Sequence, residues 1–152
     1  GDGKGKTTAA LGLALRAGRL EVGEDPAGDA CRTRRCRLLL VAADAAEASR
    51  RRAVRFAGEG QCLLLPLPFS KEELGGAIGR ASCAVAAMTD LGMAQAVVQK
   101  LAAADPERYR ETAEKLRVKA ERAARRRERT AGEREQRQSG KPRASAKKYR
   151  KK

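Results

Sequence analysis

The stretch Leu38-Leu39-Leu40-Val41-Ala42-Ala43-Asp44-Ala45 decides the fold. A strand with one wet face alternates apolar and polar residues, whereas a short unbroken apolar run fits a strand covered on both faces. A strand over Arg37–Ala42 is therefore predicted, and a sheet covered on both faces needs helices. The flanking sequence supplies them. Asp44 is placed to cap a helix running through Phe56, and Gln61 to Leu65 reads as another strand. Upstream, Asp25-Pro26 sets an N-cap residue before a proline whose φ is preset for the first helical turn, which predicts a helix from Pro26 to about Arg34. Arg19–Val22 is a short extended piece before it. Thr7 or Thr8 can cap an earlier helix that runs to Ala17 and stops at Gly18. Downstream, Ser70 and Glu73 have the spacing of a capping box at the start of a short helix ending at Gly79. Ala84–Met88 is the next strand, and Asp90 opens a helix to about Ala104. Strands alternating with helices in this way predict an α/β fold, a three-layer α/β/α sandwich over residues 11–105.

After Asp105-Pro106, a second cap-then-proline signal, the composition changes. Of 34 Lys+Arg and 19 Asp+Glu in the 152 residues, positions 1–105 carry 15 basic and 12 acidic, and positions 106–152 carry 19 and 7. The first segment is nearly balanced and the second has a net charge of +12. From Glu107 to Arg129 the residues are mostly Ala, Arg, Glu and Lys, with Glu111/Lys115 and Glu121/Arg125 spaced to pair on one helix face. The stripe Tyr109, Ala113, Leu116, Ala120, Ala123 is narrow, so this helix is expected to bury little against the body. Beyond Gly132 the chain is rich in Gln, Ser, Gly, Lys and Arg, and disorder is expected. Three regions result: a glycine- and lysine-rich segment 1–10, the α/β/α body 11–105, and a basic helical and disordered extension 106–152. The extension gains free energy on nucleic acid by releasing condensed counterions, without reading sequence.

Composition also removes several functions. Aromatic residues are 3% of the chain and Trp is absent, which argues against a stacking platform for single-stranded nucleic acid. With no His, the commonest proton shuttle and metal ligand is missing. The longest apolar runs, Leu38–Ala43 and Cys62–Phe69, are far shorter than the roughly 18 residues of a membrane span. Cys31, Cys36, Cys62 and Cys83 show no C-x-x-C spacing and read as reduced, partly buried core thiols of a cytoplasmic protein. Arg50, Arg51, Arg52 and Arg55 read as a solvated helix face. No metal and no cofactor is expected.

The opening Gly1-Asp2-Gly3-Lys4-Gly5-Lys6-Thr7-Thr8 has the ingredients of a phosphate loop: glycines that let amides wrap phosphates, a Lys, and a hydroxyl for magnesium. With Ala9 to Ala17 it resembles the phosphate loop of ATP-dependent corrinoid adenosyltransferases. That resemblance implies a nucleotide-dependent transferase using Gly5, Lys6 and Thr7.

A longer resemblance covers residues 11–102. The segments Leu11–Leu20, Val22-Gly23-Glu24-Asp25, Leu38–Ala45, Lys71–Arg80 and Ala84–Gly92 together are similar to the small bacterial members of the ribosomal protein L-seven-Ae family. The resemblance implies an α/β/α sandwich that binds kink-turn RNA, a sharply bent element with tandem sheared G·A pairs. It places the contacts at Gly23 to Asp29 and Gly79 to Cys83, hence at Gly23, Glu24, Asp25, Asp29, Gly79, Arg80, Ala81, Ser82 and Cys83. Asp25 stands where family members place a polar residue that reads a base, and its carboxylate can accept from guanine. The physics fits, since a helix N-terminus offers amides to phosphate and a splayed internal loop exposes guanine edges. Two positions depart: Asp29 stands where the family often has Lys, and Pro26 where it commonly has Glu. Arg32, three residues after Asp29, can pair with it, and Arg32, Arg34, Arg35 and Arg37 read either as a positive rim to the site or as cations that favour a helix C-terminus.

The leading expectation is a non-enzymatic, monomeric RNA-binding protein of ribosomal type. It would read structured RNA with its body and add affinity with its basic arm; the transferase is the alternative.

Overall fold

A computed structural model describes residues 2–138. Four strands, β1 (Leu20–Val22), β2 (Leu38–Val41), β3 (Leu63–Pro66) and β4 (Val85–Met88), form one sheet in the order β1-β4-β2-β3. β2 and β3 are parallel, with Leu38 opposite Leu63, while β4 is antiparallel to both β2 and β1. The helices are α1 (Asp2–Arg16), α2 (Glu24–Arg32), α3 (Glu47–Gly60), α4 (Lys71–Ala77), α5 (Leu91–Ala104) and α6 (Pro106–Gln138).

All four residues of β2 are buried, as are all four of β4. Alternate side chains enter different cores. Leu38 and Leu40 pack in a cluster with Leu11 of α1, Leu74 of α4, Val97 and Leu101 of α5, and Tyr109 and Leu116 of α6. Leu39 and Val41 point the other way, toward Ala27, Ala30 and Cys31 of α2 and Ala53 and Phe56 of α3. The sheet is the middle of three layers, as the apolar run of β2 predicts.

Strand direction sorts the loops. β1, β2 and β3 run one way and β4 the other, so one end of the sheet carries the turns that open α2, α3 and α4, together with the segment that enters β4. The opposite end carries the segments entering β1, β2 and β3. The first is the upper end of the sheet and the second the lower end.

Several element boundaries differ from the sequence expectation. α1 begins at Asp2, not at a cap at Thr7 or Thr8. Thr7 is fully buried and lies one turn from Leu11, which is followed by Ala14, so it belongs to the helix's inward stripe. Thr8 Oγ1 donates to Gly5 O at 3.0 Å, a bond made inside a helix. α2 begins at Glu24 with Gly23, not Asp25, at its cap position; Gly23 has φ 101°, a region open to glycine. Asp44 does not cap α3, which follows Ala46 and has no side-chain cap. Its Oδ1 instead accepts from Lys71 N–H at 2.7 Å, so a residue leaving β2 satisfies a donor at the start of α4. The capping box at Ser70 forms in both directions, at 2.9 and 3.0 Å. Asp90 accepts from Met93 N–H at 2.8 Å, and Asp105 from Arg108 N–H at 3.3 Å.

The chain divides after Arg117 into two units. The first extends past residue 105, where the body was expected to end, because the narrow stripe of α6 still carries two residues large enough to anchor it. Tyr109 and Leu116 are buried, and Tyr109 Oη donates to Pro66 O at 3.1 Å. The second unit begins at Val118; its residues are helical through Gln138, past Gly132 where order was expected to fade, and from Arg125 to Arg137 they are exposed. The expectation of disorder from residue 139 onward lies outside the described residues.

Candidate nucleic-acid interface

The upper end brings together the two stretches singled out around Gly23 and Gly79, although about 55 residues separate them in sequence. Gly23 closes β1 and its N–H donates to Val85 O at 2.9 Å, which ties the opening of α2 to the first residue of β4. Cys83 sits in the same joint. It is buried, its N–H donates to Lys71 O at 2.9 Å, and its Sγ donates to Val85 O at 3.3 Å. Burial pushes the Cys83 thiol up, with the Gly23 backbone bond opposing that shift. Cys83 therefore packs and anchors the loop while its neighbours face outward.

Gly79, Arg80, Ala81 and Ser82 are all exposed. Their course is set by Gly75: a Cβ there would stand 2.6 Å from Ser82 Cα and 2.8 Å from Arg80 O. Only a residue without a side chain lets the segment fold back this closely on α4. Arg80 N–H donates to Gly75 O at 2.8 Å, and Gly79 takes φ 75° to make the reversal. The result is a short exposed loop bearing one guanidinium, held beside the start of α2.

On α2, Asp25, Pro26 and Asp29 are exposed. The first amides of a helix have no intrahelical acceptor, and Pro26 has none to offer, so the donors at this end are those of Glu24 and Asp25. The Glu24 carboxylate is engaged laterally instead. It accepts from Arg52, and from Ser49 Oγ at 3.2 Å, both on α3. The Arg52 guanidinium holds Glu24 below the usual carboxylate range. Arg52 thus stands at the opening of α2, close enough to feel Asp25 as well. Arg50, Arg51, Arg52 and Arg55 are exposed, as expected of a solvated helix face, and Arg52 in addition pairs across to α2. An arginine within a basic run shows its partner only when two helices cross. Arg50 also reaches this end: it donates to Ala45 O at 3.0 Å and to Ala43 O, bracing the turn between β2 and α3.

Asp29 pairs with Arg32 at 2.6 Å, the i, i+3 neutralisation expected from the sequence. The positive rim read for Arg32 and Arg34 does not form at this end. α2 points them to the lower end of the sheet, where Arg34 donates to Gln61 Oε1 at 3.1 Å and Arg32 lies 6.0 Å from the Phe56 ring centre. Among the described residues, the cations beside these two stretches include Arg50, Arg52, Lys71 and Arg80.

Gly5, Lys6 and Thr7 lie inside α1. In a helix the amides from the fifth residue onward are spent on carbonyls four residues back, which engages those of Lys6 and Thr7. Lys6 is exposed and Thr7 faces the core, so the two side chains do not converge on one ligand.

No family model matches the chain, and no curated protein does. Among solved structures, one described as a protein with unknown function from Bacillus halodurans C is similar, at 25% identity and a TM-score of 0.58. The match covers 62% of this chain and 95% of that one. Among the described residues no helix is long and apolar enough to cross a membrane.

Proposed function

We propose that the protein binds structured RNA of ribosomal type, using the upper end of the sheet to grip a sharp bend and the basic C-terminal region for added affinity. The observation that carries this reading is the 2.9 Å bond from Gly23 N–H to Val85 O, which holds the opening of α2 and the Gly79–Cys83 loop side by side. Together they offer helix-terminal amides, the Asp25 carboxylate and the Arg80 guanidinium on one small exposed surface. Amides and guanidinium suit phosphate, and a carboxylate suits the amino and imino edge of a splayed guanine. The resemblance to the L-seven-Ae family supports the same assignment. The role needs no catalytic group and no cofactor, and four reduced cysteines suit a cytoplasmic protein.

The test is fluorescence anisotropy with the full chain, using a labelled kink-turn RNA and a straight duplex of equal length. Tighter binding to the bent RNA is expected. Arg80→Ala and Asp25→Ala should each weaken that complex about tenfold, on the order of one charge-assisted hydrogen bond, and change duplex binding little. Equal affinity for bent and straight RNA overturns the proposal.

A further inference from the structure

At the lower end of the sheet, three of the four cysteines meet. The sulfurs of Cys31, Cys36 and Cys62 all lie within 4.8 Å of one another, and Cys36 Sγ is 3.4 Å from Cys62 Sγ. The thiols are free and largely buried, as the sequence predicts, but sequence spacing gives no sign that three of them meet.

The cluster follows from two matching helix endings. Past α2, Arg34 adopts φ 61°, with Arg34 N–H donating to Cys31 O at 3.0 Å and Arg35 N–H to Ala30 O at 2.8 Å. Past α3, Gln61 adopts φ 52°, with Gln61 N–H donating to Gly58 O at 3.4 Å and Cys62 N–H to Ala57 O at 3.1 Å. Both are Schellman closures, built here with Arg and Gln where glycine is usual. Each turns the chain straight into a strand, so Cys36 and Cys62 arrive at the entrances of the parallel neighbours β2 and β3. Gly60 lets α3 close on α2 at this point: a Cβ on it would meet Cys31 O at 2.9 Å and Cys31 Cα at 3.0 Å.

We propose that Cys31, Cys36 and Cys62 form a three-sulfur site for a thiophilic d10 cation, zinc or cuprous copper. Sulfurs bound to one such ion at about 2.3 Å stand roughly 3.8 to 4.0 Å apart, within the 4.8 Å that encloses the three sulfurs, so small rotamer adjustments bring all three onto one centre. The donor set is sulfur alone, which selects soft ions and rejects calcium and magnesium. Cys31 and Cys36 are buried, whereas Cys62 is half-buried and supplies the open side. Through it a water or small thiol can complete a tetrahedron on zinc; cuprous ion is satisfied by three sulfurs in a plane. Each metal–sulfur bond forms as an S–H proton leaves to solvent, with no change of oxidation state. The bound ion would pin the ends of α2 and α3 to the entrances of β2 and β3.

The test is an anaerobic titration of the reduced full chain with cobalt(II), as a spectroscopic stand-in for zinc, and separately with cuprous ion. A sulfur-to-cobalt charge-transfer band saturating at one equivalent and bleached by zinc assigns zinc. Saturable cuprous binding at one equivalent without a cobalt band assigns copper. In either case the preferred ion should raise the melting temperature by about 5 to 10 °C. Cys62→Ser, at the least buried of the three positions, should retain the far-ultraviolet circular dichroism of the parent and lose the response; Cys83→Ser should keep it. The proposal is overturned if neither ion binds saturably, or if Cys62→Ser responds like the parent. A Cys36–Cys62 disulfide in the freshly isolated protein, read as a mass lower by two hydrogen atoms, also overturns it by removing two donors.

Discussion

Glu24 and Arg52 show how one side-chain pair can set the shape of the candidate RNA surface. The pair crosses from the first turn of α2 to the middle of α3 and fixes the carboxylate next to Asp25, leaving Asp25 outward. Because the guanidinium lowers the Glu24 pKa from an ordinary value of 4.5, ionised Glu24 stabilises the fold. That contribution is complete above the unfolded value and is lost as pH falls through the lower folded one. Arg52→Ala should therefore lower the urea midpoint at pH 7, and the gap from the parent should narrow as the pH is taken down past the ordinary value of 4.5 and through the lower folded one. A gap that is the same at both pH values would mean that Arg52 acts through packing alone. From the sequence, Arg52 is indistinguishable from Arg50, Arg51 and Arg55. Its role depends on which face of α3 meets α2.

Elements whose ends are set by their own residues were legible, and those set by other elements were not. Ser70 and Glu73 satisfy each other's backbone within one turn, and Asp90 accepts from an amide three residues on. Asp44 has the same local chemistry, yet its carboxylate lies nearer to Lys71 N–H, delivered by the chain leaving a different strand. α6 is the larger instance. Its alanine-rich stripe predicts little burial, but Tyr109 and Leu116, seven residues apart on one face, both reach the core of the first unit. Leu116→Ala should cost about 2 to 5 kcal/mol in chemical denaturation, the range for a fully buried leucine replaced without refilling the space. A loss below about 0.5 kcal/mol would show that α6 is not part of the core. A truncation meant to remove only the basic arm must accordingly end at Arg117, not at Asp105.

For the whole molecule, charge and shape divide. Residues 118–152 contain 15 basic and 4 acidic groups, so deleting them should flatten the dependence of RNA affinity on salt by about 0.7 to 0.9 in log–log slope for each phosphate no longer neutralised. Preference for bent over straight RNA should persist in residues 1–117, measured as the ratio of the two affinities. If the ratio falls to one, selectivity resides in the arm and not in the sheet end. The sequence by itself determined the α/β class, the order of the elements, the doubly covered strand β2 and the basic C-terminal region, because caps, apolar runs and charge are properties of neighbouring residues. Only the tertiary structure decided which loops share an end of the sheet. The direction of β4 sets Gly79–Cys83 beside Gly23, α2 carries Arg32 and Arg34 to the far end, and the parallel register of β2 with β3 brings Cys36 to Cys62. Strand order and direction arise from long-range pairing, which no short stretch of neighbouring residues encodes.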